Sequence, residues 1–308
     1  MSTLAEHVER YLKLRRAVGF KLVGEGQLLA EFVRFAAQAG ESTVRTEAAL
    51  EWARLPAGGS RNYLSRRLRA VRSFARHLHA LDPACEVPPI ELLPASKYRP
   101  APYLYSDGEI LALMTAAREL DPPLRAATME TLIGLLACTG LRIGEAIRLD
   151  REDFDVTHRV LTVRDSKFGK SREVLLDAST VRALADYGEI RHRLSPHAPQ
   201  QSFFITTRGT RLCHPTIYLP FRALLDQAGV RHPSPSRHPR LHDLRHSFAV
   251  KTLLGWYRDG GDVAARMPLL STYLGHVDPA ATYWYLSAAP ELLALAAQRL
   301  EQATGGRR

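Results

Sequence analysis

The chain has 308 residues, 45% of them hydrophobic and 24% charged, with a formal net charge of +10. That length suits two domains with proper buried cores, and the basic surplus favours a polyanionic partner, nucleic acid or an acidic membrane surface. No apolar run approaches the roughly 20 residues of a membrane span, and MSTLAEHVERYLKLRR shows no secretory signal. Cys85, Cys138 and Cys213 are odd in number and far apart, which disfavours a disulfide framework or a thiolate zinc site. The expected setting is a reduced cytoplasm.

Residues 1–81 read as all-helical: HVERYLKLRR, then GEGQLLAEFVRFAAQAG, a shorter piece over Glu47–Arg54, and a long stretch from Ser60 to Ala80. In that last stretch Leu64, Leu68, Val71, Phe74, Ala75 and Leu78 fall on one side of a helical wheel. Arg61, Arg66, Arg69, Arg72 and Arg76 fall on the other. A charged outer face is ordinary, but ordinary faces mix signs, and this one holds five arginines and no acid. Such a ridge would neutralise phosphates and enter a groove of duplex DNA.

From Asp82 to Pro102 the chain holds six prolines in twenty-one residues, which forbids continuous helix or central strand and marks a linker. Beyond it, Ser106 and Glu109 form a capping box that opens a helix through Ala117. A helix over Leu124–Cys138 follows, ended by Thr139-Gly140. Two β-branched runs, 160–163 and 173–176, flank a loop with Gly169 and read as a hairpin. The remainder to Leu300 is mostly helical in pattern. The expected fold is mainly α with a small antiparallel β-sheet, divided as 1–81, a linker over 82–102, a larger domain over 103–300 and a tail over 301–308.

The chemistry-bearing residues lie in the larger domain: Thr139-Gly-Leu-Arg-Ile-Gly-Glu145, Lys167, His242-Asp-Leu-Arg-His246, Leu274-Gly-His276 and Tyr285. Paired arginines hold a tetrahedral phosphate through several donors at once and stay charged. They also suit a phosphodiester that gains charge as it becomes five-coordinate. A tyrosine beside such cations is a plausible nucleophile, because they offset its free pKa of about 10. Lysine or histidine can deliver a proton to the leaving oxygen. Spacing alone does not prove that these groups converge.

TGLRxxE, HxLRH, LGH and a tyrosine nine residues after that histidine, in this order, resemble the tyrosine recombinase (phage integrase) family. The resemblance covers nearly the whole chain and implies an N-terminal helical core-binding domain followed by the catalytic domain, clamped around duplex DNA. It implies the catalytic set Arg142, Lys167, His242, Arg245, His276 and Tyr285. Arg142 and Arg245 would clamp the scissile phosphate, assisted by His242 and His276. Lys167 would protonate the departing 5′ oxygen. Tyr285 would attack to leave a 3′-phosphotyrosyl link, and Glu145 would support Arg142. The family needs neither metal nor ATP, works without cofactors, and acts as a homo- or hetero-tetramer on two DNA recombination sites. Residues 290–300 read as an amphipathic helix that would dock on a neighbouring subunit.

Some alternatives stay open at this stage. Lys170 shares the loop with Lys167, where Phe168 replaces the family's usual glycine, and Tyr283 lies two residues from Tyr285. Asp243 is expected to cap or orient its own helix. His232, His238, His242 and His246 raise a metal site, yet the HExxH pattern fails because Asp stands at 243. A catalytically silent accessory protein and a topoisomerase of the same chemistry are the rival functions. Segment 266–276 and the ending TYWYLSAAPEL look most like transposon-borne members, with integration, excision, transposition or chromosome-dimer resolution as roles.

Overall fold

The computed structural model describes residues 3–96, 101–164, 169, 171–198, 201–234, 237–276, 278–288 and 290–305. It divides into two compact units, Met1–Pro100 and Ala101–Arg308.

The first unit is built from α1 (Leu4–Ala17), α2 (Val23–Gln38), α3 (Thr46–Arg54) and α4 (Arg61–His79). Thr3 and Glu6 close a capping box on α1, and the Ser60 hydroxyl accepts from the Tyr63 amide at the start of α4. Leu29, Phe32, Ala36, Trp52, Leu68, Val71 and Phe74 meet in one core. Residues just after α4 fold back onto that core, with Cys85 buried and Val87, Leu92 and Leu93 packed against it.

That return corrects the reading of the basic helix. Arg61, Arg66, Arg69 and Arg76 are exposed, but Arg72 is buried. Its guanidinium donates to the carbonyls of Pro88, Pro89 and Leu92, so it ties the proline-rich segment to α4 and is not part of an open ridge. On a wheel of about 100° per residue Arg72 lies only about 40° from Leu68, at the border of the apolar face. Arg66 also faces an acid from another element, Glu25, at 3.5 Å.

The second unit begins with α5 (Asp107–Arg118), whose Ser106–Glu109 capping box is present. It continues through α6 (Pro123–Thr139) and the single turn α7 (Ile143–Ala146). Three strands follow, β1 (Phe154–Asp155), β2 (Val160–Val163) and β3 (Arg172–Leu175), antiparallel in the order β1-β2-β3. Val163 pairs with Arg172 and Val160 with Leu175. The short β1 carries no alternation of its own and was not expected from sequence. Helices α8 (Ala178–Leu194) and α9 (His214–Gln227) complete a core with α5 and α6 around Leu132, Leu136, Leu184 and Phe221.

The last four helices are α10 (Leu241–Arg258), α11 (Val263–Leu274), α12 (Ala280–Ala288) and α13 (Pro290–Gly305). Ala249, Leu253, Met267, Leu274, Tyr285 and Leu292 form their shared core. Leu292 of the tail helix is therefore packed within this unit, in the same cluster as Tyr285.

Candidate active site

Helix α11 organises the site through its C-terminal end. The last carbonyls of a helix lack internal partners and form its negative pole. Three guanidiniums meet three consecutive carbonyls there. Arg172 Nε donates to Tyr273 at 2.8 Å, Arg245 Nη2 to Leu274 at 2.8 Å, and Arg142 Nη2 to Gly275 at 2.9 Å. These arginines come from β3, α10 and the start of α7, so one helix end gathers three separate stretches of chain.

The glycines of the two motifs have separate reasons. Gly140 ends α6 at φ +62, and a Cβ there would sit 2.6 Å from Phe248 Cδ1. Its carbonyl accepts from Arg245 Nη1 at 2.8 Å. Gly275 ends α11 at φ +67, where a Cβ would meet Arg172 Nη1 at 2.8 Å. Both positions thus require left-handed backbone and a bare Cα.

Arg142 precedes α7, and Glu145 lies one turn on. The carboxylate accepts from the Arg142 amide at 3.0 Å and from its Nη1 at 2.7 Å. Arg172 donates to the same carboxylate through Nη1 at 3.1 Å and Nη2 at 2.9 Å. Burial alone would raise the Glu145 pKa, but Arg172 and then Arg142 outweigh it and hold it near 2. Glu145 is a carboxylate shared by two arginines, ionised at any working pH.

Arg245 is 1% exposed. Burial, followed by repulsion from Arg142, lowers its pKa to about 10, which leaves it charged at neutral pH. Its neighbour Asp243 is buried and accepts from the amide and guanidinium of Arg240, so it orders the start of α10 as expected.

His242 lies in the first turn of α10, its ring packed edge-on against that of His246. His276 follows α11, with Nδ1 hydrogen-bonded to the Thr282 hydroxyl at 2.6 Å. For each, desolvation and then Arg245 lower the pKa to about 4, so both rings are neutral at pH 7. In the unfolded chain a histidine titrates near 6.5. Stability carried by the neutral rings is therefore full above pH 6.5 and is lost as pH falls from there through 4. His276→Gln should reduce the acid-induced drop in the urea midpoint between pH 7 and pH 4.5. An unchanged drop would contradict the half-buried, neutral state of this ring.

Tyr285 projects from α12 and is 2% exposed. Its hydroxyl lies 3.1 Å from Nδ1 of His246, and the His276 ring stacks beside it with centroids 6.1 Å apart. Tyr283 is 50% exposed and belongs to no core cluster among the described residues. The fold therefore gives the two tyrosines different surroundings, one enclosed by histidines and one facing solvent.

Of the expected set, Arg142, Glu145, His242, Arg245, His276 and Tyr285 stand around the end of α11 and the facing starts of α7 and α10. Lys167 and Lys170 lie outside the described residues. Two participants were missed from sequence. Arg172 closes the hairpin loop that holds Lys167 and Lys170, where the expected role falls on a lysine and the arginine has none. His246 closes the HxLRH motif without a role of its own in the expected catalytic set, although its i, i+4 relation to His242 places both rings on one face, centroids 4.7 Å apart. His232 is engaged elsewhere: its Nδ1 accepts from the Ser234 amide and its ring packs on Tyr103.

The phage integrase family model matches residues 104–291, a span that contains every residue of the set. A Sinorhizobium fredii protein bearing the integrase/recombinase name y4rB is 42% identical over 308 residues, 98% of this chain and 98% of its own. The tyrosine recombinase XerC of Pelobacter propionicus is 31% identical over 222 residues, 71% of this chain and 67% of that protein. Among solved structures, the Tn1549 transposon integrase with transposon right end DNA shares the fold at a TM-score of 0.64. It is 15% identical, over 98% of this chain and 99% of that one. XerH bound to palindromic difH substrate gives the same score at 20% identity, over 96% and 82%. Motif order, the arginine-rich end of α11 and these likenesses agree: the chain belongs to the phage integrase family and is a tyrosine recombinase.

Proposed function

We propose that the chain cuts and rejoins duplex DNA at recombination sites through a 3′-phosphotyrosyl intermediate, with Tyr285 as nucleophile. The observation that carries this reading is the placement of Arg142 and Arg245 on adjacent carbonyls of α11, immediately before His276 and one short loop before Tyr285. Two fixed guanidiniums offset the charge that develops on a five-coordinate phosphorus. His242 and His276, neutral and beside them, donate hydrogen bonds to phosphate oxygens.

In the forward step the Tyr285 oxygen bonds to phosphorus, the phosphorus–O5′ bond breaks, and the 5′ oxygen leaves as a hydroxyl. Lys167 supplies that proton, and the phenol proton passes to Nδ1 of His246, 3.1 Å from the Tyr285 hydroxyl. One phosphoester replaces another, so the bond energy is kept for rejoining and no ATP is required. The exposed arginines Arg61, Arg66, Arg69 and Arg76 of α4 contact the DNA backbone. The active assembly is a homo- or hetero-tetramer on two sites, serving integration, excision or transposition of a mobile element. Cytoplasmic DNA is the substrate.

The test is a suicide substrate, nicked beside the cleavage point so that the 5′ fragment diffuses away, drawn from DNA flanking the gene. A covalent protein–DNA band in the presence of EDTA, attached through the DNA 3′ end, is the expected result. DNA retention with no adduct across all flanking fragments would favour the catalytically silent accessory protein instead.

A further inference from the structure

Among the described residues the Arg172 guanidinium makes three hydrogen bonds, against two each for those of Arg142 and Arg245. Its side chain, 12% exposed, spends Nε on the Tyr273 carbonyl and both terminal nitrogens on Glu145. Glu145 in turn holds Arg142 by its amide and its guanidinium. Gly275 is bare at the point where a Cβ would meet this same guanidinium. One side chain thus joins β3, α7 and the end of α11.

We propose that Arg172 is a positioning residue for DNA cleavage: it neutralises Glu145, so that Arg142 is held in place by that carboxylate without surrendering its positive charge to it. This inference rests on the recombinase reading of the site. Its physical content is a charge count. Arg142 and Glu145 alone form a closed ion pair, whose field at a nearby phosphate nearly cancels. With Arg172 the three groups carry one net positive charge, and Arg142 lies at the more exposed end of the trio, 28% exposed against 12% for Arg172. Glu145 can then orient Arg142 while the excess charge faces substrate. Removing Arg172 would leave a buried carboxylate with one partner and would draw Arg142 toward it.

The experiment compares wild type, Arg172→Met, Arg172→Lys, Glu145→Gln and the Arg172→Met/Glu145→Gln double variant. Each is assayed for covalent adduct formation on the suicide substrate, for DNA retention, and on a substrate with a neutral methylphosphonate at the scissile position. Arg172→Met should slow adduct formation on the order of 100-fold, the scale of losing one preorganised electrostatic contact, with DNA retention changed far less. Its defect should shrink on the methylphosphonate, which demands less positive charge. The double variant should cleave faster than Arg172→Met alone, because the unbalanced carboxylate is gone. Arg172→Lys, which restores the charge without the fork, should recover most of the lost rate and serves even where Arg172→Met fails to fold.

An equal defect on both substrates, with no gain in the double variant and no recovery by lysine, would reduce Arg172 to a structural clamp and overturn the inference. Absence of an adduct with wild type on the ordinary phosphodiester would instead remove the recombinase reading, and this inference with it.

Discussion

Tyr285→Phe is expected to abolish the covalent adduct while DNA retention stays close to wild type. Deleting one hydroxyl removes the nucleophile and its hydrogen bond to His246, and it leaves the ring in the apolar core shared with Leu253, Met267 and Leu292. The stability cost of such a change is about 1 kcal/mol, too little to unfold the unit. Tyr283→Phe should leave adduct formation within a few-fold of wild type, since that side chain faces solvent. A gel in which Tyr283→Phe loses the band and Tyr285→Phe keeps it would keep the family and overturn the assignment.

Arg245 gives the second large effect. Its guanidinium bridges Gly140 and Leu274, so it joins the end of α6 to the end of α11 beneath the site. Arg245→Ala should slow cleavage by about 10²–10³-fold, as for the loss of one preorganised donor. Arg245→Lys should not restore it, because a single ammonium cannot reproduce a fork fixed on two carbonyls. Single-turnover adduct formation measures both. A lysine variant within a few-fold of wild type would mean that charge alone matters at this position.

The contrast between Arg245 and Arg172 shows what was legible in the sequence. The helices of the first unit, the capping box at Ser106, the hairpin and the ordered motifs could all be read from periodicity, capping chemistry and resemblance. Each depends on residues close in sequence. The contacts of Arg172 could not be read that way, because its partners Glu145 and Tyr273 are 27 and 101 positions distant. Arg72 failed for a related reason: a wheel assigns faces from its own helix, whereas the carbonyls that bury this arginine belong to the segment after it. His246 was visible as a histidine but its partner was not, since Tyr285 reaches it only when α12 packs on α10. The glycines of TGLR and LGH were legible as helix ends, while the close approach of Phe248 and Arg172 that also requires them was not.

The site account stands most directly on which atom carries the DNA. Digesting the suicide-substrate adduct to a peptide with a residual nucleotide, and sequencing it by mass spectrometry, should place a phosphodiester mass on Tyr285 within Thr282-Tyr-Trp-Tyr285. The same mass on Tyr283, on a serine, or on no peptide of α12 would contradict the account.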